Sequence, residues 1–200
     1  MKETISRNEM PLALGNKKLP KTTAIFCMTG AYNGTCPSDK LGLCLNSKFC
    51  YAKRMEERWH HKLIPFRERQ TKYWDSVTAD QFVEDLLEVN TRRKVNKINA
   101  LRISESGDFR NQADFDKVNE IAEKLAEHNI KVYAYTARCD LDFSELSNNF
   151  ALNGSGFMVD NNFYVVEKDE KVKGAVCPAD CKKCTMCQQK KNRMIAVRKH

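Results

Sequence analysis

Residues 98–104 and 130–136 are apolar, strand-length segments on either side of one amphipathic helix, and this alternation constrains the fold more than any other feature. Phe115, Val118, Ile121, Ala122 and Leu125 recur at the spacing of one helical face across residues 112–128. A second unit of the same kind precedes it. Residues 21–29 become apolar at Ala24, Ile25, Phe26, Cys27 and Met28, which reads as a buried strand. Thr78 and Gln81 then form a capping-box pattern, and Phe82, Val83, Leu86 and Leu87 keep helical spacing up to the basic cluster Arg92, Arg93 and Lys94. Strands joined through helices run parallel, with the helices covering them. The expected fold class is α/β: a parallel sheet or an open partial (β/α) barrel with a cysteine-rich C-terminal metal-binding appendage.

Between these elements, residues 30–50 are rich in Gly, Asn, Pro, Ser and Cys and have no periodic pattern. A loop of that length needs a function or an internal staple. Residues 51–61 read as helical, and Pro65 is expected to begin another helix carrying Phe66, Tyr73 and Trp74. Beyond Arg138 the pattern shortens, and residues 149–152, 157–160 and 163–167 read as short strands between Asn, Gly and Ser turns. The expected organisation is an α/β domain over residues 1–170, containing the cysteine-rich loop 30–50, followed by a cysteine cluster and basic tail over residues 171–200.

Composition narrows the class. The chain has 200 residues, 42% hydrophobic and 30% charged, enough apolar material for one core and too much for wholesale disorder. Its longest apolar run is the five residues from Ala24 to Met28, against about 20 for a membrane span. Residues 1–7 carry no apolar stretch of the kind a secretory signal has, so a cytoplasmic protein with no membrane partner is expected.

Nine cysteines in such a chain argue against a disulfide framework and for metal binding. Cys177, Cys181, Cys184 and Cys187 fall within eleven residues, with gaps of three, two and two. Runs of this kind favour an iron–sulfur centre over zinc, whose ribbons more often split into two separated pairs, though both metals want thiolates. Cys36, Cys44 and Cys50 form a second set inside the long loop, and three ligands would leave one metal position open. Cys27 and Cys139 read as ordinary free cysteines. The expected cofactors are one or two [4Fe–4S] clusters, with zinc as the alternative.

Cys36-Pro37, Cys44, Cys50-Tyr51-Ala52, the run from Arg102 through Ser106, Gly107, Asp108 and Phe109, Tyr133 to Thr136, and Cys177-Pro178 together resemble the phage and mobile-element "gene product 88" family. The resemblance spans about residues 22–190 and implies no settled activity. A more distant resemblance is to radical S-adenosylmethionine (SAM) enzymes. It implies that Cys36, Cys44 and Cys50 hold a [4Fe–4S] cluster whose open iron binds SAM, with Phe49 as the aromatic before the last cysteine. It also implies that Ser104, Glu105, Ser106 and Gly107 help to hold the SAM amino group.

Glu105 and Asp108 are the candidate catalytic residues, because they follow a parallel strand at the edge where α/β folds bind ligands. Asp108 could equally cap the next helix or shape the Gly107 turn. Arg102 and Arg138 flank the same edge and could hold a carboxylate or phosphate. His60 and His61 read as surface residues. Trp59, Tyr73 and Trp74 lie near Arg54, Arg58, Arg67, Arg69 and Lys72, where they could stack on bases, but core packing is the expected role. The net charge of +8 suggests a polyanionic partner, and residues 177–200 alone carry +6. These readings combine into an iron–sulfur protein, radical-SAM-like or not, acting on nucleic acid or a host protein. The alternative is a non-enzymatic, metal-stapled nucleic-acid- or protein-binding module.

Overall fold

The computed structural model describes residues 10–172 and 174–199. Residues 1–7, which carry the expectation of no secretory signal, lie outside that range, as do Lys173 and His200 of the C-terminal region.

The elements run β1 (Ala13–Leu14), β2 (Thr23–Phe26), α1 (Pro37–Lys40), α2 (Tyr51–Arg58), α3 (His60–Ser76), α4 (Ala79–Arg92), β3 (Ala100–Ile103), α5 (Gln112–Ala126), β4 (Lys131–Thr136), β5 (Phe150–Ser155), β6 (Asn161–Val166), β7 (Ala175–Val176) and β8 (Arg193–Arg198). The strands form one eight-stranded sheet in the order β1-β2-β3-β4-β5-β6-β8-β7. Only β1 is antiparallel to its neighbour, β2; every other pair is parallel. The α/β, mostly parallel expectation holds. The order is open, with β1 and β7 at its two edges.

Local chemistry sets the helix ends. Thr78 Oγ1 accepts from the Gln81 amide at 3.2 Å and starts α4, and Asn111 Oδ1 accepts from the Asp114 amide at 2.9 Å and starts α5. The helix expected to begin at Pro65 instead begins at His60. Pro65 sits inside α3 and removes the hydrogen bond its nitrogen would have given to the His61 carbonyl.

The faces of α4 and α5 that carry Phe82, Leu86, Phe115, Val118, Ile121 and Leu125 pack on Ala24, Phe26, Leu101, Ile103, Val132 and Leu152 from one face of the sheet. Burying each large side chain contributes about 1.5–3 kcal/mol. Trp74 and Tyr73 of α3 join this core and keep their polar tips satisfied. Trp74 Nε1 donates to Asp114 at 2.7 Å, and Tyr73 Oη donates to Asp85 at 2.6 Å. The packing role expected of these two residues is met.

The opposite face carries Ala100, Tyr133 and Ala151, with Tyr135 and Cys187 packed against them. Here the C-terminal region departs from expectation. The basic tail contains β8, which pairs with β6 over Asn161 to Val166 and with β7, so residues 193–198 are part of the sheet rather than an appendage. The Met194-Ile195-Ala196-Val197 run is the physical reason, since Ile195 and Ala196 are fully buried.

The step from β5 to β6 is also unexpected. Residues 157–160 form no strand but a short turn between parallel neighbours, closed by Asp160, which accepts from the Leu152 amide at 2.9 Å. Asn161 Nδ2 donates to Asn153 Oδ1 at 2.9 Å across the register pair, and Asn153 in turn donates to the carbonyls of Ala134 and Cys187. This ladder ties residues 187–189 onto the inner face. Among the described residues, no helix is long and apolar enough to cross a membrane.

Candidate functional site

The C-terminal ends of β2, β3 and β4 release three loops that meet at Asp108. Gly107 has φ +72°, and a Cβ there would run into the Thr29 side chain and carbonyl, so this turn needs glycine. The turn sends the Asp108 carboxylate inward. It accepts from Thr136 Oγ1 at 2.7 Å, the Ala137 amide at 2.8 Å, the Phe109 amide at 2.8 Å and the Ser38 hydroxyl. Burial pushes its carboxyl above the usual range, and these donors pull it back only in part. Asp108 therefore clips the loops after β2, β3 and β4 together, with its acceptor positions filled. Arg138 has a bracing geometry, donating to Asp140 and to the carbonyls of Phe109 and Arg110.

Glu105 leaves the same loop in another direction. Its carboxylate accepts from Asn16 Nδ2 at 2.6 Å and Arg67 at 3.4 Å, and Arg102 lies 4.0 Å away. Arg67 is also bound to Glu56 at 3.0 Å and to Gln70 at 2.9 Å. Glu56, almost fully buried on α2, accepts from the amides of Ala31 and Tyr32 as well. The chain Glu56–Arg67–Glu105–Arg102 thus fixes α2 and α3 against the loops after β2 and β3. Glu56 and Arg67 had no sequence signal, because they sit on two different helices and no short spacing relates them.

The cysteines do not make the expected centres. Among the described residues, no group of three or more His, Cys, Asp or Glu side chains is placed to hold a metal ion. This corrects the expected [4Fe–4S] clusters, the zinc alternative and the SAM seat that an open iron would have provided. Neighbours in each set do feel one another's charge, as Cys36 does Cys44, Cys44 does Cys50, and Cys181 does Cys177 and Cys184. Metal ligation needs converging thiolates. Burial pushes Cys36 to about 12 and raises Cys44, Cys181 and Cys187. Backbone groups of Asp39 and Ser38 oppose that rise at Cys36, as the Tyr135 hydroxyl does at Cys187, without offsetting it. Intervals of seven and five residues let Cys36, Cys44 and Cys50 take up separate local turns.

What the cysteine loop and α2 do present is an unusual surface. Leu41, Leu45, Phe49, Tyr51, Met55 and Trp59 are all exposed, from 38% at Met55 to 78% at Leu45. Scattered exposed apolar residues are ordinary, but six within the nineteen residues from Leu41 to Trp59 are a concentration. Exposed Lys48, Arg54, Arg58 and Lys62 interleave with them. Arg58 lies 5.7 Å from the Trp59 ring centroid. Lys199, just after β8, stands 4.1 Å from that of Phe49. Leu45 reaches Gly156 at the turn after β5, so the loop crosses the C-terminal edge of the sheet. Trp59 is 42% exposed, which corrects its expected core role. His60 and His61 are exposed, as expected.

The family model described as Gene product 88 matches residues 4–180 of the chain. No curated protein matches. No solved structure matches either, and the radical SAM resemblance finds no support in these comparisons.

Proposed function

The chain belongs to the gene product 88 family, the phage and mobile-element family its motifs resemble, and we propose that this member binds single-stranded nucleic acid across the C-terminal edge of its sheet. The single observation that carries the reading is the run of exposed aromatics Phe49, Tyr51 and Trp59 interleaved with Lys48, Arg54, Arg58 and Lys62. Unstacked bases offer a π-face to any aromatic, which makes such a surface tolerant of sequence, while lysine and arginine meet the phosphates. The net charge of +8 favours the same class of partner by raising its local concentration. A duplex would keep its bases stacked on each other and leave the aromatics unused.

The test is a titration of fluorescently labelled oligothymidylate, read by anisotropy at several salt concentrations. Binding should fall as salt rises, with a log–log slope of about −3 if four phosphates are contacted. Duplex of the same length should bind more weakly. No complex with either polymer at low salt would overturn the proposal and leave a host protein as the partner for this surface.

A further inference from the structure

Arg102, the third residue of β3, carries a guanidinium with five N–H donors, yet its hydrogen bonding is almost empty. Its Nε is buried and has no partner among the described residues, and a carboxylate oxygen of Glu105 is at 4.0 Å from the fork. The side chain is 20% exposed, so the fork is reachable from outside, and it lies 5.3 Å from the Tyr135 ring centroid. Tyr133 is the residue directly opposite Arg102 in the parallel register, on the same inner face. It is 1% exposed, and its hydroxyl likewise has no partner. The hydroxyls of Ser104 and Ser106, in the loop that leaves β3, complete a group of four buried, unpaired polar atoms.

Orphaned buried donors are costly, and four carried by β3, the loop that leaves it and its neighbour β4 demand a reason. The neighbours do not provide one. Arg67 is engaged by Glu56, Gln70 and Glu105, and Glu105, held closely by Asn16 and Arg67, meets Arg102 only as an ion pair at 4.0 Å with no hydrogen bond. Cys181 and Cys187 face Arg102 from the C-terminal segment, but burial holds both as thiols, so they do not neutralise it. A guanidinium fork with hydroxyls beside it is chemistry that recognises an oxyanion.

We propose that Arg102 and Tyr133 form the floor of an oxyanion site on the inner face of the sheet, one that takes a phosphate monoester or a carboxylate. Tyr51 of the aromatic surface lies within electrostatic reach of Arg102, so the two surfaces adjoin, but the oxyanion site does not depend on single-strand binding there.

The test uses the whole protein, titrated separately with inorganic phosphate and with acetate at constant ionic strength, and followed by calorimetry and amide chemical shifts. At least one anion should saturate, with the shifts centred on β3 and β4. Tighter phosphate binding identifies a phosphate monoester as the natural group, and acetate binding as tight or tighter identifies a carboxylate. Tyr133→Phe removes an unpaired hydroxyl, so it should fold at least as stably as the wild type while binding about ten- to a hundredfold more weakly. Arg102→Lys keeps the charge but loses the fork, and should also weaken binding. Two results would overturn the site: no saturable shift at β3 and β4 with either anion, or a Tyr133→Phe variant that binds as tightly as the wild type. The wild-type shifts decide the matter even if a variant does not fold.

Discussion

The ammonium of Lys199 lies 4.1 Å from the ring centroid of Phe49. This contact joins the end of β8 to the cysteine-rich loop, two segments far apart in sequence, and makes Lys199 part of the aromatic surface. A cation over an exposed ring contributes about 0.5–1 kcal/mol. Lys199 is anchored at the same time by Glu167 at 2.8 Å. Lys199 therefore lies over the Phe49 ring, which stays 57% exposed.

Two tryptophans in one chain give a clean contrast. Trp59→Ala should leave stability within about 0.5 kcal/mol of the wild type, since its ring is exposed. It should weaken single-strand binding about 5- to 100-fold, the range for losing one stacking platform. Trp74→Ala should instead cost about 3–5 kcal/mol, because it empties a core position and removes one of the donors to the buried Asp114. Urea denaturation and anisotropy on both variants measure the two effects independently.

The buried pair Glu56–Arg67 predicts a large structural effect. Glu56→Ala leaves the Arg67 guanidinium with one fewer carboxylate and frees the amides of Ala31 and Tyr32. The expected loss is about 3–5 kcal/mol, the range for removing one member of a buried ion pair. Hydrogen exchange should quicken at residues 31 and 32 more than in α5.

Asp114 makes acid sensitivity predictable in sign. Burial alone would raise its carboxyl, but hydrogen bonds from Arg110 and Trp74 outweigh it, and the group ends below its usual 3.8. A depressed carboxyl contributes stability that is present above the unfolded value and is lost as pH falls through the folded one. Asp114→Asn should thus be less stable than the wild type at pH 7, by about 1–3 kcal/mol. The gap should narrow as pH drops below 3.8. Parallel urea curves between pH 7 and pH 2.5 check the trend.

Thiol reactivity follows burial. Cys139 is exposed, Cys27 is fully buried, and burial pushes Cys36 to about 12, so Cys36 is a thiol at neutral pH. Iodoacetamide at pH 7.5 should label Cys139 first and leave Cys27 and Cys36 unmodified until the fold is opened with urea. Mass spectrometry of a labelling time course reads the order directly.

The parts of the fold visible in the sequence are those whose signals are local. Helix α4 announces itself through the cap at Thr78, and α4 and α5 through one apolar face each, whereas the cap of α5 is Asn111 and not the candidate Asp108. Strand β8 was hidden because Arg193, Arg198 and Lys199 give its apolar centre the look of a charged tail. The Asn153–Asn161 ladder was hidden because asparagine ordinarily marks turns. At the candidate site, the loop carrying Glu105 and Asp108 could be found from its place after β3. Its partners Arg67, Asn16 and Ser38 come from elsewhere in the chain, and only tertiary packing selects them. The cysteine spacings misled for a related reason, since closeness in sequence does not make thiols converge. Exposure of Phe49, Tyr51 and Trp59 was equally invisible, because an apolar residue looks the same in sequence whether buried or not.

Stacking on Trp59 can be observed without any label on the protein. Tryptophan fluorescence should be quenched saturably as oligothymidylate is added at low salt and should recover as salt is raised, because Trp59 is exposed and Trp74 is buried. Trp59→Phe should abolish the quench while anisotropy still reports a complex. A complex that forms with the wild-type fluorescence unchanged, or no complex at all at low salt, would contradict single-strand binding on this surface.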